Sequence, residues 1–158
     1  MKLKHLFMAG TVAAAFAWPA QANDLRFAFQ GDANSMDPYN LNETFTLGYV
    51  TNIYEGLTER EPDLSISPGL ATKWEVMEPM RCRFHLRKGV KFHDGRDFTA
   101  DDVLFSADRV RADGSDLKTR IKPGTQVVKV DDYTVDFISQ APDPIIHFEW
   151  ETWSMMSK

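Results

Sequence analysis

Residues 84–106 decide the reading of this chain: Phe84-His85-Leu86-Arg87-Lys88-Gly89-Val90-Lys91-Phe92-His93-Asp94-Gly95-Arg96-Asp97-Phe98-Thr99-Ala100-Asp101-Asp102-Val103-Leu104-Phe105-Ser106. Leading into it, Cys82, Phe84 and Leu86 alternate with Arg81, Arg83, His85 and Arg87, the period of a strand with one apolar and one charged face. That alternation assigns Cys82 to the core as a small hydrophobe, rather than to a reactive thiolate held between Arg81 and Arg83. Lys88-Gly89 and His93-Asp94-Gly95 are turn sequences. Thr99 then caps a helix over Ala100 to about Ala112, with Asp102 in the reciprocal position of a capping box. Asp101 and Asp102 sit at the positive end of its dipole, and Arg109 and Arg111 at the negative end. Ala100, Val103, Leu104, Ala107 and Val110 share one side, while Phe105 lies among Asp101, Asp108 and Arg109. The helix is therefore expected to be covered on two sides.

Working toward the N-terminus, Glu61 to Gly69 is crowded with turn formers (Pro62, Asp63, Pro68, Gly69) and reads as a loop. Phe45, Val50, Ile53, Tyr54 and Leu57 recur at helical spacing over Glu43 to Leu57, with Gly56 placed to stop the helix. Asp24 to Gln30 alternates like a half-buried strand, with Leu25, Phe27 and Phe29 on one face. Gly31-Asp32-Ala33-Asn34-Ser35 ends it, and Asp37-Pro38 imposes an extended or turn conformation. Toward the C-terminus, residues 127–130 and 134–138 flank Asp131-Asp132-Tyr133 as a β-hairpin. Ala141-Pro142-Asp143-Pro144 breaks it, and Ile145, Ile146, Phe148, Trp150, Trp153 and Met155 open a further helix. These elements make a mixed α+β domain.

The first 22 residues read as an export signal. Lys2 and Lys4 precede an uncharged, Ala-rich core from Leu6 to Trp18, and Ala20-Gln21-Ala22 offers small residues for cleavage after Ala22. The apolar run is shorter than the roughly 20 residues that span a bilayer. The 158 residues carry a formal charge of -5; without the signal the count is 16 - 23 = -7, since only Lys2 and Lys4 are lost. So acidic a chain is ill suited to gripping nucleic acid, which requires surplus Lys and Arg. A single cysteine excludes a disulfide framework and a thiolate zinc site.

There is no Gly-rich phosphate loop, no nucleophile elbow and no Cys or His pair at ligand spacing, so no catalytic residue, metal ligand or cofactor is assigned. A hard-cation or hydrolase centre on His93, Asp94, Asp97, Asp101 and Asp102 is the sharper alternative. A turn followed by first-turn helix acids accounts for the same residues. Arg81, Arg83, Arg87, Lys88 and Lys91 form a basic stripe next to those acids, and mutual neutralisation is the expected role of both.

Met36-Asp37-Pro38, Asn52-Ile53-Tyr54-Glu55-Gly56-Leu57, Pro68-Gly69-Leu70-Ala71-Thr72-Lys73-Trp74-Glu75, and above all residues 84–95 and 98–106 occur in an order and spacing that resembles the extracytoplasmic solute-binding proteins of family 5. These are the peptide, opine and nickel-type receptors of ABC importers. Glu78-Pro79-Met80-Arg81-Cys82 departs from the polar Asp-Gly turn that members commonly carry. The resemblance implies part of the N-terminal lobe of a periplasmic binding protein type II-like fold. Residues 23–40 would be its opening strand and cleft loop, and 41–158 its accessory subdomain and the start of the next segment. It implies a small solute such as a peptide or opine, an ABC permease as partner, a periplasmic location and no enzymatic activity. Asp32, Ala33, Asn34 and Ser35 correspond to the segment that reaches the cleft in some members.

Family members are much longer and two-lobed, so the resemblance further implies a truncated receptor that binds poorly by itself. The strand around Leu25, Phe27 and Phe29 would present an open edge, Trp150 and Trp153 would lack much of their packing, and residues from about 40 to 150 would fold with both ends poorly anchored. The rival expectation is an exported interaction domain that meets a partner through exposed Phe27 and Trp150.

Overall fold

The computed structural model describes residues 26, 28–32, 34–40, 42–151 and 153–158. The predicted signal and Leu25, Phe27 and Ala33 lie outside the described residues. The chain divides into two compact units, residues 1–30 and 31–158. In the first, the described residues 26 and 28–30 form no strand, and Phe29 is exposed.

The second unit is built on an antiparallel sheet ordered β3-β4-β6-β5, from β3 (Ala71–Glu78), β4 (Arg81–Leu86), β5 (Gln126–Asp131) and β6 (Thr134–Ile138). The alternation read in β4 sets its register. Phe84 pairs with Trp74 of β3 and Val135 of β6, and Cys82 with Val76 and Phe137. A shift of one residue would expose this apolar set and bury Arg83. β3 and β4 join through Pro79 and Met80, with a register shift between Val76 and Glu78.

Helix α2 (Ala100–Arg111) buries Ala100, Val103, Ala107 and Val110. Asp102 Oδ2 accepts from the Thr99 N–H at 2.8 Å and from the Thr99 hydroxyl at 3.1 Å, which secures the expected start. Its second cover is the C-terminal segment: Ser106 Oγ accepts from the Met156 N–H at 2.8 Å, and Asp102 Oδ1 from the Lys158 N–H at 3.0 Å. Phe105 is half-buried, as expected of a helix covered twice.

Three expectations are corrected. Helix α1 spans only Thr44–Val50, not Glu43 to Leu57. Glu43 caps its start by accepting from the Thr46 N–H at 2.9 Å, and at the other end the Asn52 side-chain amide and the Thr51 hydroxyl each donate to the Gly48 carbonyl at 2.9 Å. These side chains capture a carbonyl that a continuing helix would have used. The loop at 61–69 is in part a hairpin of β1 (Thr58–Arg60) and β2 (Ile66–Pro68). Pro62 and Asp63 sit at its tip, where Asp63 Oδ1 accepts from the Ser65 N–H at 3.0 Å, while Pro68 belongs to β2. The last helix, α3 (Ile146–Glu149), lasts one turn.

Beyond α3 the backbone finds partners elsewhere, and the Met155 N–H donates to the Glu55 carbonyl at 2.8 Å. Trp150 and Trp153 are 1% and 2% exposed, not short of packing. The Trp150 ring lies 4.1 Å from Phe137 and 3.9 Å from Trp153, centroid to centroid. The chain at Asp37 and Tyr39 is tied to the rest of this unit: Arg109 pairs with Asp37, and the buried Tyr39 hydroxyl donates to the Ser154 carbonyl. Burial also pushes the Tyr39 phenol above its ordinary value.

Gly56 lets the two halves of this unit meet. A Cβ there would lie 2.5 Å from the Trp150 carbonyl oxygen and 2.8 Å from that of Glu151, both backbone atoms. Gly56→Ala is therefore expected to cost about 1–3 kcal/mol by overpacking, and Trp150→Ala about 3–5 kcal/mol through the cavity it leaves. Urea unfolding followed by tryptophan fluorescence and circular dichroism checks both.

Candidate functional site

The chain leaving α1, the loop between β4 and α2, and the C-terminal segment enclose a cavity of about 410 Å³. Ile53, Leu70, Val90, Phe98, Met155 and Met156 supply its apolar wall, and Glu55, Lys91, His93 and Asp94 lie at the polar side. Its loop is held by turn chemistry. Gly95 has φ +88°, the Phe92 N–H donates to the Arg96 carbonyl at 2.9 Å, and the Phe98 N–H to the Val90 carbonyl at 3.0 Å. The flanking Phe92 and Phe98 rings meet edge to face at 6.0 Å. A concave, mainly apolar wall with a few polar groups is the usual form of a small-molecule pocket.

The acids near His93 do not converge. Asp94 accepts from Arg96 Nε at 2.8 Å and from the Arg96 N–H at 3.0 Å, which holds its carboxyl below the usual range. Asp97 pairs with Lys91 at 2.7 Å and Asp101 with Lys129 at 2.9 Å, while Asp102 serves as the helix cap. Among the described residues no group of three or more His, Cys, Asp or Glu is placed to hold a metal ion. The geometry gives the hydrolase alternative no support.

The basic stripe is neutralised differently from the expectation. Only Lys91 meets the acidic run. Arg83 makes a two-pronged pair with Asp136 across the sheet at 2.7 and 2.8 Å, Arg87 Nη2 donates to the Gly69 carbonyl at 2.7 Å, and Lys88 lies 5.1 Å from the Tyr133 ring centre. His85 Nε2 stands 3.4 Å from Glu75.

Of the predicted cleft residues, Asp32 and Asn34 are exposed and Ser35 is half-buried, its hydroxyl oxygen accepting from the Asp37 N–H at 3.1 Å. None of these three lines the cavity, but Tyr54 of its wall donates from its hydroxyl to the Met36 carbonyl at 3.2 Å. That bond ties the residue following Ser35 to the cavity. Sequence reading missed the wall itself; the one local signal was the pair of phenylalanines bracketing the His93-Asp94-Gly95 turn. The interaction-domain expectation loses its described half, because Trp150 is in the core.

Residues 65–157 match the family of bacterial extracellular solute-binding proteins, family 5 Middle. The chain is 33% identical over 167 aligned positions to the dipeptide-binding protein of Escherichia coli K12, covering 90% of this chain and 30% of that protein. It is 32% identical over 117 positions to the glutathione-binding protein GsiB of Salmonella choleraesuis SC-B67, covering 73% of this chain and 23% of that one. Among solved structures, the solute-binding protein MoaA of Agrobacterium tumefaciens R10 in complex with mannopinic acid superposes with a TM-score of 0.72 at 28% identity, covering 80% of this chain and 28% of that chain. Sheet, capped helix and sequence match together define the class to which the chain belongs. The chain belongs to the family 5 solute-binding proteins, a family of transport receptors rather than enzymes, and the fold is part of a periplasmic binding protein. It spans about a third or less of the length of these relatives.

Cys82 is 4% exposed, and burial, aided by Asp136 and Asp143, pushes its thiol up from 9.0 to about 11. At equal pH its thiolate fraction is then roughly 100-fold below that of the unfolded chain. Iodoacetamide at mildly alkaline pH should label Cys82 slowly in the native protein and rapidly in urea. Because the folded value is raised, the stability linked to this thiol is intact below pH 9.0 and is lost as the pH rises through about 11.

Proposed function

We propose that this chain acts in the substrate-binding component of an ABC importer for peptides or a related small solute, and delivers that solute to an inner-membrane permease. The observation that carries this reading is the family match over residues 65–157, joined to 33% identity with a dipeptide-binding protein. Asp32, Ala33, Asn34 and Ser35 form the cleft-facing loop in this reading, with the cavity beside Tyr54 supporting the loop from behind. Export follows cleavage after Ala22, so the mature protein begins at Asn23 in the periplasm. No catalytic step, metal or cofactor is part of this function.

A segment of this span holds solute weakly by itself, because receptors of this design bury their ligand between two lobes that close on it. Isothermal titration calorimetry with a panel of dipeptides and an opine should give no binding tighter than about 1 mM. The same residues, exchanged for their counterpart in the E. coli dipeptide-binding protein, should preserve dipeptide binding. Asp32→Ala with Asn34→Ala in that hybrid should weaken it about 10-fold or more, the loss of one or two polar contacts. Tight binding by the isolated chain, or a hybrid that folds but ignores dipeptides, overturns the proposal. Mass spectrometry of the exported product tests Asn23 as its first residue.

A further inference from the structure

His147 stands where three parts of the fold meet. Its ring stacks on Trp74 of β3 at 5.8 Å and 18°, and against Phe148 at 4.4 Å. Its carbonyl accepts from the Thr58 hydroxyl of β1 at 2.9 Å. Three residues on, the Trp150 carbonyl accepts from the N–H groups of Leu57 and Thr58 at 3.1 and 3.5 Å. The α3 turn is thus pinned to β1 through the backbone and to β3 through one imidazole. His147 Nδ1 is fully buried and has no hydrogen-bond partner. In the neutral ring this atom is the bare lone pair, and the proton belongs on Nε2, since an unpaired buried N–H costs more.

We propose that His147 is an acid-operated latch: protonation of its imidazole loosens the α3 turn from β1 and β3 and uncovers the Trp150 end of the core.

Adding a proton turns the bare Nδ1 into a charged donor with no acceptor in reach. The neighbouring charges compensate for it only in part, through Asp143. Asp143, on the same segment, is committed to Lys122 at 2.7 Å, and Glu149 to Arg120 at 3.6 Å. On the β1 side, Arg60 is paired with Glu151 at 2.5 Å and lies over the Phe148 ring, and Glu59 is exposed. On β3, Lys73 and Glu75 are paired with each other beside Trp74. Stacking on Trp74 offers the imidazolium a cation–π contact, which opposes the effect. Burial outweighs it together with Asp143, since desolvation holds the His147 imidazole below its ordinary 6.5. With the folded value lowered, the latch is fully closed above about pH 6.5 and weakens as the pH falls through that lower value.

The test is amide hydrogen exchange of the full chain at Leu57 and Thr58, whose N–H groups reach Trp150. Protection corrected for intrinsic rates should fall on the order of threefold to tenfold between about pH 7.5 and pH 5.5. His147→Phe, which keeps the stack and removes the proton site, should keep its protection, and His85→Gln should behave like the parent. Equal protection at both pH values in the parent, or an equal loss in His147→Phe, overturns the proposal. If His147→Phe fails to fold, NMR titration of the His147 ring in the unsubstituted protein decides: a value below 6.5 together with the loss of protection supports the latch, and one at or above 6.5 overturns it.

Discussion

The structure depends on one packing event, the burial of Trp150. Its ring closes the aromatic cluster of Phe84, Phe137 and Trp153, while its carbonyl receives the amide of Leu57. One residue thus joins the middle strands, the chain that enters the sheet and the chain that leaves it. Full burial of an aromatic side chain stabilises by about 1.5–3 kcal/mol, and a domain has only about 5–15 kcal/mol in all. The constraint on Gly56 follows, because the backbones must approach closely enough that no side chain fits between them.

This dependence explains which parts of the fold were legible in the sequence. The alternation of β4, the capped start of α2 and the β5–β6 hairpin are set within a few residues, by side-chain period and by Thr99 with Asp102. The turn at Gly95 was readable for the same reason, with a φ of +88° that favours glycine. What the sequence hid was decided at a distance. The apolar run from Ile145 to Met155 reads as a helix, yet the Met155 amide bonds to Glu55, far away in the chain. No local pattern reports that partner. The β1–β2 hairpin was hidden because strands this short are outweighed by the Pro and Asp residues of their own tip.

The candidate site was less legible than the fold. Its wall gathers Ile53, Leu70, Phe98 and Met155 from four separate stretches, and each looks like ordinary core in isolation. The Asp32–Ser35 segment was picked out by resemblance rather than by its chemistry, and Met36, which follows it, is joined to the cavity wall by the bond from Tyr54. Charge was a poor guide as well. Arg83, conspicuous beside its neighbours in the basic stripe, is occupied by Asp136 of an adjacent strand rather than by the acids next to it in sequence. Cross-strand neighbours are invisible until register is known.

In the block from Phe84 to Ser106, the elements that build the fold cannot be separated from those that shape the cavity. Asp102 is 6% exposed, and a buried carboxylate requires donors on most of its lone pairs. It receives the amide and the hydroxyl of Thr99 on one oxygen and the Lys158 amide on the other. The same side chain therefore starts α2 and fixes the segment carrying Met155 and Met156, which form part of the cavity wall. Replacing the acid would leave the helix without its cap and the wall without one of its anchors. The constraint on Asp102 is accordingly that of a structural joint whose geometry the neighbouring cavity inherits.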